Sequence, residues 1–396
     1  MMPDQVFASD EVAALRSELP TVHGRAYLNA GTLGPMPADT IEAMHAELSR
    51  EASNRYPSDI WEHLGACQTS ARTQLGRLVG APVDHVALMH TTHEGISTCL
   101  WGLDLREGDE IVTTSEEHPG VLVPLRIMRD RRGIRIRCVP WDDNPATLAA
   151  HCAAAISSRT RAVIVSHVSW VSGGIANLRM IREAIGPDVM FIVDGAQGAG
   201  AIPVDMQHDS WDAYTVSGQK WSLGPNGSGC LALREPDRWQ PVMGGFFVTD
   251  DPPNSLNAQI SRTGTRFEFS QENTIPLVGI VHSLEFLLER VGVDRAEVHS
   301  KYLNRITRSA IGPGIEALNA TASDTQPMRG SGHLLVAPVA PGTAPSITSQ
   351  LAQHNVDVRY LDDDHIRISL GFWTTTDDID ALASQLINVA SAGPTT

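Results

Sequence analysis

Lys220 lies between Gln219 and Trp221 in the segment SGQKW, directly after the strand-like run AYTV. A lysine set among aromatic and apolar residues is partly desolvated, which lowers its pKa and lets the neutral amine form an imine. Asp194 closes a second apolar run, VMFIVD, and Gln197 follows it in VDGAQ. A carboxylate at such a strand end can keep a pyridine nitrogen protonated and turn the ring into an electron sink. His118, in EEHPG, follows a third strand and precedes Pro119, which suits a flat ring stacking on a bound heterocycle. Thr92, His93 and Gly95 belong to TTHEGIS, where a strand gives way to a helix. The free N–H groups and dipole of a helix start attract phosphate. Ser217 and Gln219 are placed to reach the same phosphate. Singly, these are a helix cap, a surface lysine and a strand-end ion pair. In this order they fit the holding of a phosphorylated pyridine ring, with Lys220 as an amine able to form an imine.

The elements that must position these residues are short β-rich runs alternating with helical patterns between about residues 80 and 235. GDEIVTTS, GIRIRCVP, RAVIVSHV, DVMFIVDG, DAYTVSG and GSGCLAL read as strands. PGVLVPLRIMRDR, NPATLAAHCAAAI and NLRMIREAI between them read as helices. Such alternation predicts an α/β fold with an open, largely parallel sheet, whose ligands sit beyond the carboxyl ends of the strands. Residues 236–275 are polar and proline-bearing, as at an excursion or boundary. A long helical pattern, IPLVGIVHSLEFLLERVG, then leads into a smaller α+β region with strand-like VDVRYL and HIRISL.

The 396 residues are 42% hydrophobic and 19% charged, a balance suited to a packed core. A net charge of −16 argues against a nucleic-acid surface and favours a small-molecule partner. No apolar run reaches the roughly 20 residues needed to span a bilayer. The N-terminus lacks the pattern of a secretory signal. Cys67, Cys99, Cys138, Cys152 and Cys230 are widely spaced and include no CxxC pair. They read as reduced thiols of a cytoplasmic protein, with no metal site.

The same segments resemble the class V aminotransferase family of fold-type I pyridoxal-phosphate enzymes, from YLNAGTLGPMP (27–37) to HIRISLGFWTTTDDID (365–380). The resemblance implies a large domain with a mostly parallel seven-stranded sheet and a smaller α+β C-terminal domain. Its boundaries would be 1–26 for an N-terminal segment packing on the small domain, 27–255 for the large domain, and 256–396 for linker and small domain. It implies that Lys220 is the Schiff-base lysine, Asp194 the partner of the pyridine nitrogen, Gln197 the donor to the phenolic oxygen and His118 the stacking ring. Thr92, His93, Ser217 and Gln219 match phosphate-cup positions. Arg359 matches the arginine for the substrate α-carboxylate, a task suited to a guanidinium fork. The resemblance also implies that Arg367 assists and that Asn29 and Trp170 bind substrate. Relatives are usually homodimers, so a homodimer is expected.

Within the family, LWGLDLREGDEIVTTSEEHPG, SHVSWVSG, VDGAQGAGAIPVD and RFEF (266–269) are most similar to the cystine and cysteine C–S lyases. Trp170 stands where cysteine desulfurases usually carry Asn. Three positions depart from the family pattern. Gln219 replaces a His, His93 replaces a Thr, and SQEN (270–273) stands where many relatives reach a partner subunit's phosphate, leaving Gln271 or Asn273 as candidates. Cysteine desulfurases need a nucleophilic Cys beyond the substrate arginine, and RYLDDDHIRI (359–368) has none. The expected reaction is therefore β-elimination from cystine or an S-substituted cysteine, giving pyruvate, ammonia and a thiol or persulfide. Epimerisation, transamination and decarboxylation share the same core residues and stay open, as does an S-conjugated cysteine of secondary metabolism. Trp170, Trp221 and Phe247 are candidates to line the pocket.

Overall fold

The computed structural model describes residues 6–53, 58–245, 248–249, 251–268, 272–320 and 326–392. Phe247 and Gln271 lie outside these residues. The strands in chain order are β1 (Ala26–Tyr27), β2 (Val86–Leu88), β3 (Glu110–Thr114), β4 (Arg135–Val139), β5 (Thr160–Ser166) and β6 (Met190–Asp194). They continue with β7 (Ala213–Ser217), β8 (Gly229–Leu233), β9 (Leu334–Pro338), β10 (Val356–Asp357), β11 (Arg359–Asp362) and β12 (His365–Ser369).

A seven-stranded sheet runs in the order β2-β8-β7-β6-β5-β3-β4. The pairings β3–β4, β3–β5, β5–β6 and β6–β7 are parallel; β8 runs antiparallel to both its neighbours. The apolar runs of the inner strands β5, β6, β7 and β8 do not alternate with polar residues, because both faces are covered, whereas the edge strand β4 exposes Arg135, Arg137 and Cys138. Val163 and Val165 of β5 enter one core, with Leu75 of helix Ile60–Val79 and Ile181 of helix Leu178–Ile185. Ala162 and Ile164 enter the opposite core, with Ile96 of helix Thr92–Gly102 and Leu125 of helix Pro119–Arg132. A period of two divides one strand between two layers, as expected of a doubly covered parallel sheet.

A second, antiparallel sheet has the order β11-β12-β9. Its core joins Leu335 and Ile368 to Leu303 of helix Val293–Leu318 and Leu382 of helix Thr376–Ala392. The N-terminal residues contact these same elements. Ala26 and Tyr27 pair in parallel with Val356 and Asp357, and Arg16 bonds Asp378 at 2.8 Å.

Three local features differ from the sequence expectation. The sequence pattern does not mark β1, β2 or β9: the first two are only AY and VAL, and LLVAP ends in a proline. VDVRYL divides into β10 and β11, which join different sheets. The helix Thr274–Glu285 passes into a π-helical turn, Phe286–Val291, that ends at Gly292 with φ of 81°. No helix among the described residues is long and apolar enough to cross a membrane.

Candidate active site

Strands β2, β3, β5, β6 and β7 point the same way, so the segments leaving their carboxyl ends converge on one edge of the sheet. Those segments carry Thr92, His118, Trp170, Asp194 with Gln197, and Ser217 with Lys220. Loop 28–34 and strands β11 and β12 add the facing wall. The result is a cavity of about 150 Å³ lined by Thr32, His93, His118, Trp170, Lys220 and Arg367 among others. A narrow inner recess adds Ser166, Asp194 and Ala196.

Lys220 Nζ faces this cavity from the turn after β7. Burial pulls its pKa down to about 8, against the opposing charge of Asp194, with Arg367 and Arg359 pulling it down further. The turn is held tightly. Gly34 N–H donates to the Gln219 carbonyl at 2.8 Å, and a methyl on Gly34 would sit 1.9 Å from the Lys220 carbonyl oxygen. Only glycine permits that approach.

Asp194 is the last residue of β6 and is 3% exposed. Its Oδ1 accepts the Ala196 N–H at 2.9 Å, and the carboxylate opens on the inner recess. Burial raises its pKa, and the Lys220 charge opposes that rise. A buried carboxylate of this kind needs a further donor or cation beside it.

His118 caps helix Pro119–Arg132, its Nδ1 accepting the Gly120 N–H at 3.0 Å. Pro119 at the first helical position suits that geometry. The cap puts the ring proton on Nε2. Burial, with the charge of Lys220, lowers the His118 pKa to about 4, so the ring is neutral. It stacks on His93 with centroids 5.2 Å apart and meets Trp170 edge-on at 5.0 Å. Glu117, which the sequence reading passed over, anchors this segment. Its carboxyl oxygens accept Thr114 Oγ1 at 2.7 Å, Ser166 N–H at 3.0 Å and Ser166 Oγ at 2.7 Å, tying the end of β3 to the end of β5. Burial pushes the Glu117 carboxyl up to about 7.

At the helix start the cap is Thr91, not Thr92: Thr91 Oγ1 accepts the Glu94 N–H at 3.2 Å. That leaves Thr92 Oγ1 to meet Ser217 Oγ at 3.3 Å, bringing two hydroxyls together at the helix N-terminus. Gln219 Oε1 is buried there without a partner. Two hydroxyls and the free N–H groups of a helix start form a donor-rich rim that fits a phosphate.

Gln197 is held at both ends of its amide. Nε2 donates to the Gly31 carbonyl at 2.8 Å, and Oε1 accepts the Trp221 indole N–H at 2.9 Å. One amide hydrogen stays available. Its backbone carbonyl accepts His333 Nε2 at 2.7 Å, a contact the sequence did not signal. Trp221 therefore belongs to the core at 3% exposure and does not line the pocket, contrary to the sequence expectation. Trp170 does line it, with its indole Nε1 buried and unpartnered. Its loop is fixed by Ser169 Oγ, which donates to Glu116. Glu116 in turn pairs with Arg329 at 2.8 Å.

Arg359 and Arg367 face each other in register on β11 and β12. Arg367 is the deeper, at 2% exposure, while Arg359 is exposed at the rim. Asn29 contributes through Thr32, whose hydroxyl donates to Asn29 Oδ1 at 2.7 Å. Asn273 caps helix Thr274–Glu285 through Oδ1, accepting the Ile275 N–H at 3.0 Å.

A catalytic lysine candidate, a buried carboxylate and a neutral imidazole at the carboxyl edge of a doubly covered parallel sheet define a small-molecule enzyme site. The family model for class-V aminotransferases matches residues 26–382, and the chain belongs to that family. A probable cysteine desulfurase of Mycolicibacterium paratuberculosis is 28% identical over 97% of this chain, which spans 59% of that relative's length. The cystine C–S lyase C-DES, in complex with its reaction product cysteine persulfide, superposes with a TM-score of 0.83 at 24% identity, over 93% of this chain and 99% of that one. A mutant of C-DES with glycine covalently linked to its PLP cofactor superposes at 0.84 with 23% identity, over 94% and 99% of the two chains. These likenesses establish the fold.

Proposed function

We propose that this protein is a pyridoxal-phosphate-dependent C–S lyase that cleaves a cysteine-derived amino acid by β-elimination. The carrying observation is the convergence of Lys220, with its pKa lowered to about 8, on the cavity shared with Asp194 and His118. The residues fit the cofactor. Asp194 would hold the pyridine nitrogen, His118 the ring face, Gln197 the phenolic oxygen, and Thr92, His93, Ser217 and Gln219 the phosphate. When bound, the cofactor supplies an aldehyde for imine chemistry and an electron sink for charge at the substrate Cα.

The protein's own groups do the rest. Arg367 and Arg359 bind the α-carboxylate and turn the Cα–H bond toward Lys220. Lys220, once free as an amine, takes the α-proton on Nζ. Asp194 would set its carboxylate against the pyridine nitrogen, and the neutral His118 ring would shield the reacting face from water. The sulfur at Cβ leaves as a thiol or persulfide, and with one water the remainder becomes pyruvate and ammonia. The absence of any cysteine from Arg359 to Ser369 favours release of sulfur over its capture on an enzyme thiol. Cys99, Cys152 and Cys230 are buried, with thiol pKa values pushed up by burial. The names borne by the similar proteins, cysteine desulfurase and cystine C–S lyase, support a substrate of the cysteine class.

The test supplies cystine and S-substituted cysteines to the cofactor-loaded protein and follows pyruvate and ammonia together. Equal yields of both are expected. Deuterium uptake into recovered amino acid without pyruvate would replace elimination by epimerisation, and no change with any of these amino acids would remove the proposal.

A further inference from the structure

Two guanidinium groups meet on one hydroxyl. Thr32 Oγ1 accepts Arg359 Nη1 at 3.1 Å and Arg367 Nη2 at 3.2 Å, while its own hydrogen goes to Asn29 Oδ1 at 2.7 Å. A hydroxyl has one hydrogen and two lone pairs, so all of its bonding capacity is committed. Neither arginine forms an ion pair with a carboxylate among the described residues, and Arg367 Nε has no partner. Like charges directly opposite on antiparallel strands repel, and here Arg359 and Arg367 are register partners. The loop carrying Thr32 is shaped for this meeting. A methyl on Gly31 would lie 2.9 Å from Arg367 Cζ, so glycine leaves the guanidinium room to reach Thr32, and Gly31 N–H is held by Ser369 Oγ at 3.1 Å.

We propose that Thr32 is a positioning residue: its hydroxyl, oriented by Asn29, holds Arg359 and Arg367 together as a preformed clamp for the substrate α-carboxylate. This deepens the reading above and rests on it. The fold meets the cost of bringing two cations together before substrate arrives, so the carboxylate finds both forks aligned. Thr32 touches neither Lys220 nor Asp194 by hydrogen bond, so its effect falls on binding rather than on proton transfer.

The test uses the cofactor-loaded enzyme and two amines, glycine and methylamine, which differ in the carboxylate. Each is titrated against the visible spectrum of the cofactor in wild type, Thr32→Val and Thr32→Ser. Thr32→Val should weaken glycine by about ten- to hundredfold, the range of hydrogen bonds to charged groups, and leave methylamine unchanged. Thr32→Ser should restore glycine to within about threefold of wild type. On a turned-over substrate, Thr32→Val should raise KM with little change in kcat. Glycine affinity unchanged in Thr32→Val, or equal losses for both amines, overturns the clamp while leaving the enzyme assignment intact. A wild-type protein whose cofactor spectrum responds to neither amine overturns the assignment and the clamp together.

Discussion

The Trp221 indole N–H donates to Gln197 Oε1 at 2.9 Å, joining the residue after Lys220 to the third residue after Asp194. This bond closes the end of β7 onto the end of β6 and fixes the Gln197 amide at the wall of the cavity. Trp221 also stacks on Trp373 at 6.2 Å and meets His333 edge-on at 4.5 Å, so the contact sits in a packed wall.

Trp221→Phe keeps most of that packing but strands the buried Gln197 oxygen. A loss of about 1–3 kcal/mol in unfolding free energy is expected. Cofactor affinity should fall in parallel, because the freed amide can rotate. Denaturant unfolding with and without cofactor measures both; an unchanged midpoint in both states would show that the bond does not hold the wall.

The depressed pKa of Lys220 sets the pH dependence of cofactor loading. Its neutral fraction is about a tenth at pH 7, a half near pH 8 and almost complete above pH 9. The loading rate, followed by the growth of the visible band, should therefore rise through pH 8 and then level off. Because Asp194 raises the lysine pKa, Asp194→Asn should move the midpoint to lower pH. A rise that continues toward pH 10.5 would mean that the amine is not desolvated.

Lys220→Ala should abolish the band and turnover together. Borohydride reduction of the loaded wild-type protein followed by peptide mapping should find the label on the peptide bearing Lys220. A label on Lys301 instead would displace the assignment.

The two arginines should differ in weight. Arg367→Lys, at the buried position, removes a planar fork that a lysine cannot replace, and a loss of about hundredfold in kcat/KM is expected. Arg359→Lys at the rim should cost about tenfold or less, since exposed charges are screened. Similar losses in the two variants would argue against the difference in depth.

Arg329→Met breaks the pairs with Glu116 and Asp143 and loosens the loop that carries Trp170. Cofactor content should be unchanged while KM for the substrate rises several-fold, with kcat within about twofold. Loss of cofactor in this variant would place the loop's role elsewhere.

Much of this site is legible in the sequence. Lys220, Asp194 and His118 each follow a short apolar run, and in a parallel sheet such positions share one edge whatever the exact packing. Local pattern was enough to bring them together. The direction of Trp221 was not legible, because a flanking aromatic gives no sign of which way it turns; its indole N–H meets Gln197 in the core. The helix cap fell to Thr91, leaving the Thr92 hydroxyl free to meet Ser217, a division between neighbouring threonines that only helix geometry resolves.

What the chain alone determined, then, was the alternation of strand and helix, and with it the edge at which an amine, a carboxylate and an imidazole must meet. Periodicity and turn chemistry act over a few residues, and that is the range at which sequence speaks. Tertiary structure decided the relations between distant segments. Thr32 and Arg367 are 335 positions apart, yet they bond because β12 lays its arginine against the N-terminal loop. No local pattern encodes that meeting; it follows from strand register and from the close packing that glycine allows at position 31.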